Sequence, residues 1–203
     1  MLGLYRIPHS TNVERVALAL AHKGLEVESV WIDPADRSAV RKVSGQALVP
    51  VLVDGDEVVS DSTRILEHLE ERHPHRPLYP EDPASRAEME VFVDWFNRVW
   101  KRPPNLIAAE LEKTEPDREK IERLGTEMHA ALDLFEDMLD GRHYLLGEFG
   151  IADVIAFPFL KYALGVPAGD DELFHEVLFE HQPLEGRPRV EAWIERVDGH
   201  PRS

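Results

Sequence analysis

Cysteine is absent from all 203 residues. That removes disulfides, thiolate metal sites, cysteine nucleophiles and CxxC redox chemistry together, and it agrees with a reducing, cytoplasmic setting. Positive charge is scarce: 23 Lys and Arg face 39 Asp and Glu, for a formal net charge of -16. So acidic a surface repels nucleic acid and anionic membranes, and neither is expected as a partner. No run of 18 apolar residues occurs, which leaves no candidate for a membrane-spanning helix. The opening Met1-Leu-Gly-Leu-Tyr-Arg-Ile-Pro8 has no basic stretch before an apolar core, so no signal peptide is expected. The ten histidines show no HExxH and no other tight ligand spacing, and no metal is expected. Internal repeats and low-complexity tracts are missing too. What remains is 43% hydrophobic, enough for a packed core.

The most informative stretch runs from Leu48 to Leu66, L-V-P-V-L-V-D-G-D-E-V-V-S-D-S-T-R-I-L. Val49 to Val53 is a β-branched apolar run of strand type. Asp54-Gly55 signals a two-residue type I′ hairpin turn, and Glu57 to Val59 is the returning strand. Ser60-Asp61-Ser62 then supplies helix-capping chemistry ahead of Ile65, Leu66 and Leu69. Pro50 cannot donate to a strand ladder, which confines it to an edge, a strand start or a bulge. One solution is a cis Val49-Pro50 bond that leaves the N–H and C=O of Val49 as a free edge; the other is an ordinary turn proline. A free edge beside a helix N-terminus suits a small peptide that carries a carboxylate.

This pattern, V-P-V-L-V-D-G-D followed by S-D-S-T-R-I-L, resembles the cytosolic glutathione transferase superfamily. The resemblance implies a thioredoxin-like domain with a cis-proline at Pro50, a peptide-pairing residue at Val49, and a γ-glutamyl-binding pair at Asp61-Ser62. Reduced glutathione would be the co-substrate, with no metal.

The chain around the motif fits that plan. Leu2 to Ile7 reads as a first strand, and Thr11-Asn-Val-Glu14 matches a capping box opening a helix with Val13, Val16, Ala17 and Leu20 on its inner face. Lys23-Gly24 ends that helix, Glu26 to Ile32 is a second strand, and Asp36 to Val43 is a short helix candidate. The order is βαβ-α-ββα over residues 1–73. Residues 74–82 form a linker; His73 to Pro80 holds three prolines in eight residues. From Pro83 to Ser203 only helices are expected, in an all-α substrate domain. These begin with an aromatic-rich helix that Pro103-Pro104 kinks or ends. A long helix follows Pro116, and a buried central helix spans Ile151 to Leu164. Two last helices span Leu173 to Phe179 and Pro188 to Val197. The fold class is thus α/β plus all-α.

The loop Pro8-His9-Ser10-Thr11-Asn12 lies between strand and helix, where a hydroxyl and a helix N-terminus would favour a thiolate. Its run S-T-N-V-E-R-V resembles the serine-type, zeta- and theta-like transferases, whose active serine falls on Ser10, with Thr11 and Asn12 as fallback donors. Ser10 or Thr11 as a plain helix cap is the simpler reading, and the two roles are compatible. By the same resemblance His9, Trp95, Phe96 and Trp100 wall the pocket of a small electrophile; the alternative is that these aromatics are core. Two departures stand out. Where many relatives carry a Lys or Gln that reaches the glycine carboxylate of glutathione, this chain has Leu48, with Gln46, His9 and Arg15 as possible substitutes. Gly150 replaces the hydroxyl of the family's Ser/Thr-x-x-Asp helix start, while Asp153 remains, and a Phe149/Val154 staple is expected beside it. The function implied is a homodimeric detoxification transferase that activates the glutathione thiolate against an apolar electrophile. A zeta-like, glutathione-dependent cis-trans isomerase and a non-catalytic thiol- or protein-binding member are the alternatives.

Overall fold

The computed structural model describes all 203 residues, in two units: residues 1–79 with 200–203, and residues 80–199. The first unit is a four-stranded sheet in the order β2-β1-β3-β4, built from β1 (Leu2–Arg6), β2 (Val27–Trp31), β3 (Val51–Asp54) and β4 (Glu57–Ser60). β1 and β2 are parallel and joined through α1 (Thr11–Lys23), as a parallel pair requires. β3 pairs antiparallel with both β1 and β4. Leu2, Leu4, Val51 and Leu52 fill the core, while α2 (Ser38–Ser44) presents buried Val40 and half-buried Val43 to it and α3 (Ser62–Arg72) presents Ile65, Leu66 and Leu69.

Three local expectations are corrected. The hairpin pairs Asp54 with Glu57, so its two turn residues are Gly55 and Asp56, one position later than the Asp-Gly signal suggests. Gly55 has φ 61 whereas Asp56 does not have positive φ, which rules out a type I′ turn and suits glycine at the first central position. The cap of α1 is Ser10, whose Oγ accepts the Val13 N–H at 3.4 Å, and not Thr11. The Glu14 carboxylate that would complete a Thr11 box instead accepts from Arg202, at 3.2 and 3.3 Å. The tail that supplies Arg202 is the third correction. Residues 200–203, expected in the helical domain, pack on the first unit: the Ser203 N–H donates to the Ala17 carbonyl, and Arg6 donates to the Ser203 carbonyl.

Residues 74–79, read as linker, also belong to the first unit, and the reason is a buried lysine. The Lys23 ammonium, its side chain 1% exposed, pairs with Glu70 at 2.7 Å and donates to the His73 carbonyl at 2.9 Å. Glu70 in turn accepts the N–H groups of Leu78 and Tyr79. One ion pair therefore ties the end of α1 to the end of α3 and to the segment after it. Lys23→Met is expected to cost about 2–3 kcal/mol, below the usual loss for breaking a buried pair because Glu70 keeps its backbone donors. Urea unfolding of the variant checks this through a lower midpoint at unchanged slope.

The second unit is all helical: α4 (Pro83–Trp95), α5 (Arg102–Leu111), α6 (Arg118–Met138), α7 (Ile151–Leu160), α8 (Leu173–Glu180) and α9 (Pro188–Asp198). Asp82 caps α4 by accepting the Ser85 N–H, with Pro83 in the first turn. α4 runs into one π-helical turn, Phe96–Trp100, and α5 follows at once. α5 was not anticipated, because Pro103-Pro104 reads as a break; both prolines occupy its first turn, where a missing N–H costs nothing. Every residue of α7 is buried, and the chain tightens into a 3-10 turn at Lys161–Leu164. The cap of α7 is half of a capping box: Asp153 Oδ2 accepts the Gly150 N–H at 3.0 Å. Its Oδ1 accepts from Leu145 N–H at 3.0 Å and from the Trp193 indole at 2.7 Å. The ring of Phe149 meets Tyr144 edge-on at 5.5 Å. No helix is long and apolar enough to cross a membrane.

Candidate functional site

The sheet register brings the start of β3 to the same edge as the ends of β1 and β4, because Val51 stands opposite both Tyr5 and Ser60. The chain segments just past those strand ends therefore gather there: Ser10 after β1, Val49 before β3, and Asp61-Ser62 after β4. The Val49-Pro50 bond is cis. Val49 lies outside the paired register, makes no backbone bond of its own, and packs its side chain against Ile32, Val40 and Val51. Pro50 is buried behind it.

Two helices open at this edge, each after a residue of unusual backbone. Only three non-glycine residues have positive φ, and two of them are His9 (φ 58) and Asp61 (φ 76). Strain of this kind is retained where surrounding structure fixes it, often at functional sites. His9 is exposed, and Ser10 beside it is half-buried. Ser10 accepts one N–H as a cap, which leaves its own O–H able to donate. Thr11 is buried, 6% exposed, as the first residue of the helix. Asp61 caps α3 through Oδ1 alone, which accepts the Thr63 and Arg64 N–H groups at 2.9 and 3.2 Å.

A residue that sequence reasoning weighed only as a stand-in for Leu48 proves to tie the two helix starts together. Arg15 is 1% exposed, and its Nη1 donates to Ser62 Oγ at 3.4 Å. Ser62 in turn donates to Asn12 Oδ1, also at 3.4 Å. Burial, opposed in part by the charge of Asp61, pulls the Arg15 guanidinium down to about 9, so it stays a cation at neutral pH. The signal was there to read: a charged residue between Val13 and Val16, on a largely buried helix, three positions from Asn12.

With its side chain committed to Arg15 and Asn12, Ser62 keeps a backbone N–H that has no partner within the chain. The edge thus offers two helix N-termini, a buried guanidinium, one hydroxyl and one unpaired extended residue. Helix N-termini and an unpaired strand edge are groups that can hold an anion and an extended peptide.

The other residues named from sequence lie elsewhere. Leu48 is 77% exposed. Gln46 is bonded locally: its amide donates to Ser44 Oγ and to the Leu48 carbonyl, and its oxygen accepts the Leu48 N–H. In the helical unit Phe96 and Trp100 are buried and stacked, with ring centres 4.5 Å apart, and both meet Phe135 and Phe159 edge-on. These two rings are core. Trp95 is half-buried at the rim of the same cluster, against Phe92 and Phe135.

Both units of the chain have matches among known proteins. Residues 4–77 match the family model for the glutathione S-transferase N-terminal domain, and residues 118–196 match that for the C-terminal domain. Glutathione S-transferase 3 of Zea mays is 31% identical over 219 residues, covering 98% of this chain and 90% of its own. Glutathione S-transferase Z1 of Arabidopsis thaliana is 41% identical over 91 residues, covering 42% of this chain and 41% of its own. Among solved structures, a glutathione S-transferase from Rhodospirillum rubrum F11 superimposes with a TM-score of 0.77 at 28% identity, covering 99% of this chain and 89% of its own.

Proposed function

The chain belongs to the glutathione transferase superfamily, and on that premise we propose that it binds reduced glutathione and activates the thiol for attack on an apolar electrophile. The observation that carries this reading is Ser10. It stands at the N-terminus of α1 with a hydroxyl able to donate, on the same sheet edge as the unpaired Val49 and the start of α3. The γ-glutamyl carboxylate lies at the N-terminus of α3 and accepts the free Ser62 N–H. Asp61 Oδ2, not used in capping, faces the ammonium group. The cysteinyl backbone pairs with Val49, and the sulfur accepts from the Ser10 hydroxyl.

The chemical task is to ionise that sulfur. A free thiol titrates near 8.5. Lowering it by about two units takes about 2.7 kcal/mol, within reach of one charge-assisted hydrogen bond and a helix N-terminus acting together. Arg15 contributes as a positioning residue: it holds the Ser62 hydroxyl toward Asn12 and so fixes one helix start against the other.

Calorimetry with reduced glutathione, followed by thiol-transfer assays on a panel of small electrophiles, tests the reading. Binding at or below about millimolar concentration, with turnover of at least one electrophile, is expected. No binding and no transfer would leave a non-catalytic role for the fold.

A further inference from the structure

The tail at residues 200–203 lies along the side of α1 that begins at Ser10. Residues three and four apart share a helix face, so Ser10, Glu14, Ala17 and Ala21 line one side. The tail meets it at successive levels. The Ser203 N–H donates to the Ala17 carbonyl at 3.2 Å, and Ala21 lines one groove with Pro201, Arg202 and Ser203. Glu14 stands one turn after Ser10, its N–H donating to the Ser10 carbonyl at 3.0 Å. Helical side chains lean toward the N-terminus, so the Glu14 side chain leans back over the turn that Ser10 opens. An uncompensated carboxylate there would oppose an anion held at Ser10. Arg202 compensates it: Glu14 Oε1 accepts from Nε at 3.3 Å and from Nη2 at 3.2 Å. Both side chains are largely withdrawn from water, Glu14 16% and Arg202 24% exposed. The remaining arm, Nη1, donates to the His200 carbonyl and holds the guanidinium to its own tail.

From this we propose that Arg202 is a positioning residue for the thiolate, acting through Glu14: it cancels a carboxylate charge one turn from Ser10, so that the start of α1 keeps its full pull on a bound sulfur. The proposal rests on the thiol-transferase reading above. It goes further by giving the residues after α9 a part in the chemistry of the first loop. The other charged and titratable groups of the first unit around this turn are His9 beside Ser10, Arg15 directed at Ser62, Asp61 at the start of α3 and His200 in the tail. Burial and the charge of Arg202 hold the His200 imidazole below its usual range.

The thiolate absorbance of glutathione bound to the full chain, titrated at low salt, tests it. Arg202→Ala uncovers the Glu14 carboxylate and should raise the pH of the bound thiol's titration by about 0.5 unit, a Coulomb effect across one helical turn in partly screened surroundings. Glu14→Gln leaves the guanidinium unopposed and should lower it by a similar step. The double variant, neutral here like the intact pair, should titrate close to wild type. Arg202→Ala and the double variant share the same change around His200, so the difference between them reports the charge of Glu14 alone. A merely structural strap would lower the melting temperature of Arg202→Ala and leave the titration in place. Titrations that coincide in wild type, Arg202→Ala and Glu14→Gln overturn the proposal, and a wild-type value well below that of free thiol still leaves the transferase reading intact. Should Arg202→Ala not fold, Glu14→Gln decides alone: a downward shift supports the proposal and an unshifted titration overturns it. If glutathione does not bind wild type, or titrates there near 8.5, the proposal and that reading fall together.

Discussion

Ser10→Ala is expected to lower turnover by about 10²–10³, the loss commonly seen when one preorganised donor to an anion is removed. Glutathione affinity should change far less, because the Ser62 N–H and the Val49 edge, to which the proposal assigns the rest of the peptide, are untouched. The rate profile should move to higher pH, since a sulfur deprived of its hydroxyl donor ionises less readily. The variant also loses the α1 cap, worth about 1 kcal/mol, because Ser10 and not Thr11 accepts the Val13 N–H. Two companions separate the effects. Ser10→Gly restores most of the cap without a hydroxyl, and should stay slow while regaining stability. Ser10→Thr keeps both and should retain activity. If Ser10→Ala keeps full turnover while Asn12→Ala loses it, the donor role belongs to Asn12.

The largest effect on stability is expected at Asp153. Its carboxylate is fully buried and accepts three N–H groups, from Leu145, Gly150 and Trp193. Asp153→Ala leaves all three donors without an acceptor. At about 1–3 kcal/mol for each buried unsatisfied group, a loss of about 3–5 kcal/mol is expected. Thermal or urea unfolding reads this directly, and a loss below about 1 kcal/mol would contradict it. Burial also pushes this carboxyl up to about 6, against the opposing hydrogen bonds. Between about pH 4 and 6 the native state therefore holds a proton here that the unfolded chain, titrating near 3.9, has lost. The local contribution to stability grows as pH falls through 6 toward 4 and is flat below. Asp153→Asn, which cannot titrate, should therefore fall further behind wild type at pH 5 than at pH 7.

The order of elements was legible because it is written in local terms: the alternation of Glu26 and Glu28 with Val27 and Val30 at β2, the apolar run of β3, the caps at Asp61, Asp82 and Gly24. The misreadings arose where distant residues decide local choices. Thr11-x-x-Glu14 is a better capping box on paper than anything Ser10 offers, yet Arg202, 188 residues away, takes the Glu14 carboxylate. The hairpin turn follows the pairing of Asp54 with Glu57, fixed by the strands on either side and not by the Asp-Gly dipeptide. At the candidate site, Ser10, Val49, Pro50, Asp61 and Ser62 were each singled out from sequence, while Arg15 was weighed only as a substitute for Leu48, although its charge between two core valines marked it. Arg15 links the two helix starts from the middle of a helix whose pattern otherwise reads as core. In the helical unit the same limit hid a buried cluster. Asp170 accepts from the Tyr162 hydroxyl at 3.0 Å and lies 2.8 Å from His175 Nδ1, with the two rings stacked, and no spacing rule joins those three residues.

The central claim is that the Ser10 end of α1 stabilises a bound thiolate. The most direct measurement is the ultraviolet thiolate absorbance of glutathione bound to the full chain, followed as a function of pH. The account predicts that the bound thiol titrates about two units below its free value near 8.5, and that Ser10→Ala returns most of that shift. A bound thiol that titrates where free glutathione does, in wild type and variant alike, would contradict it.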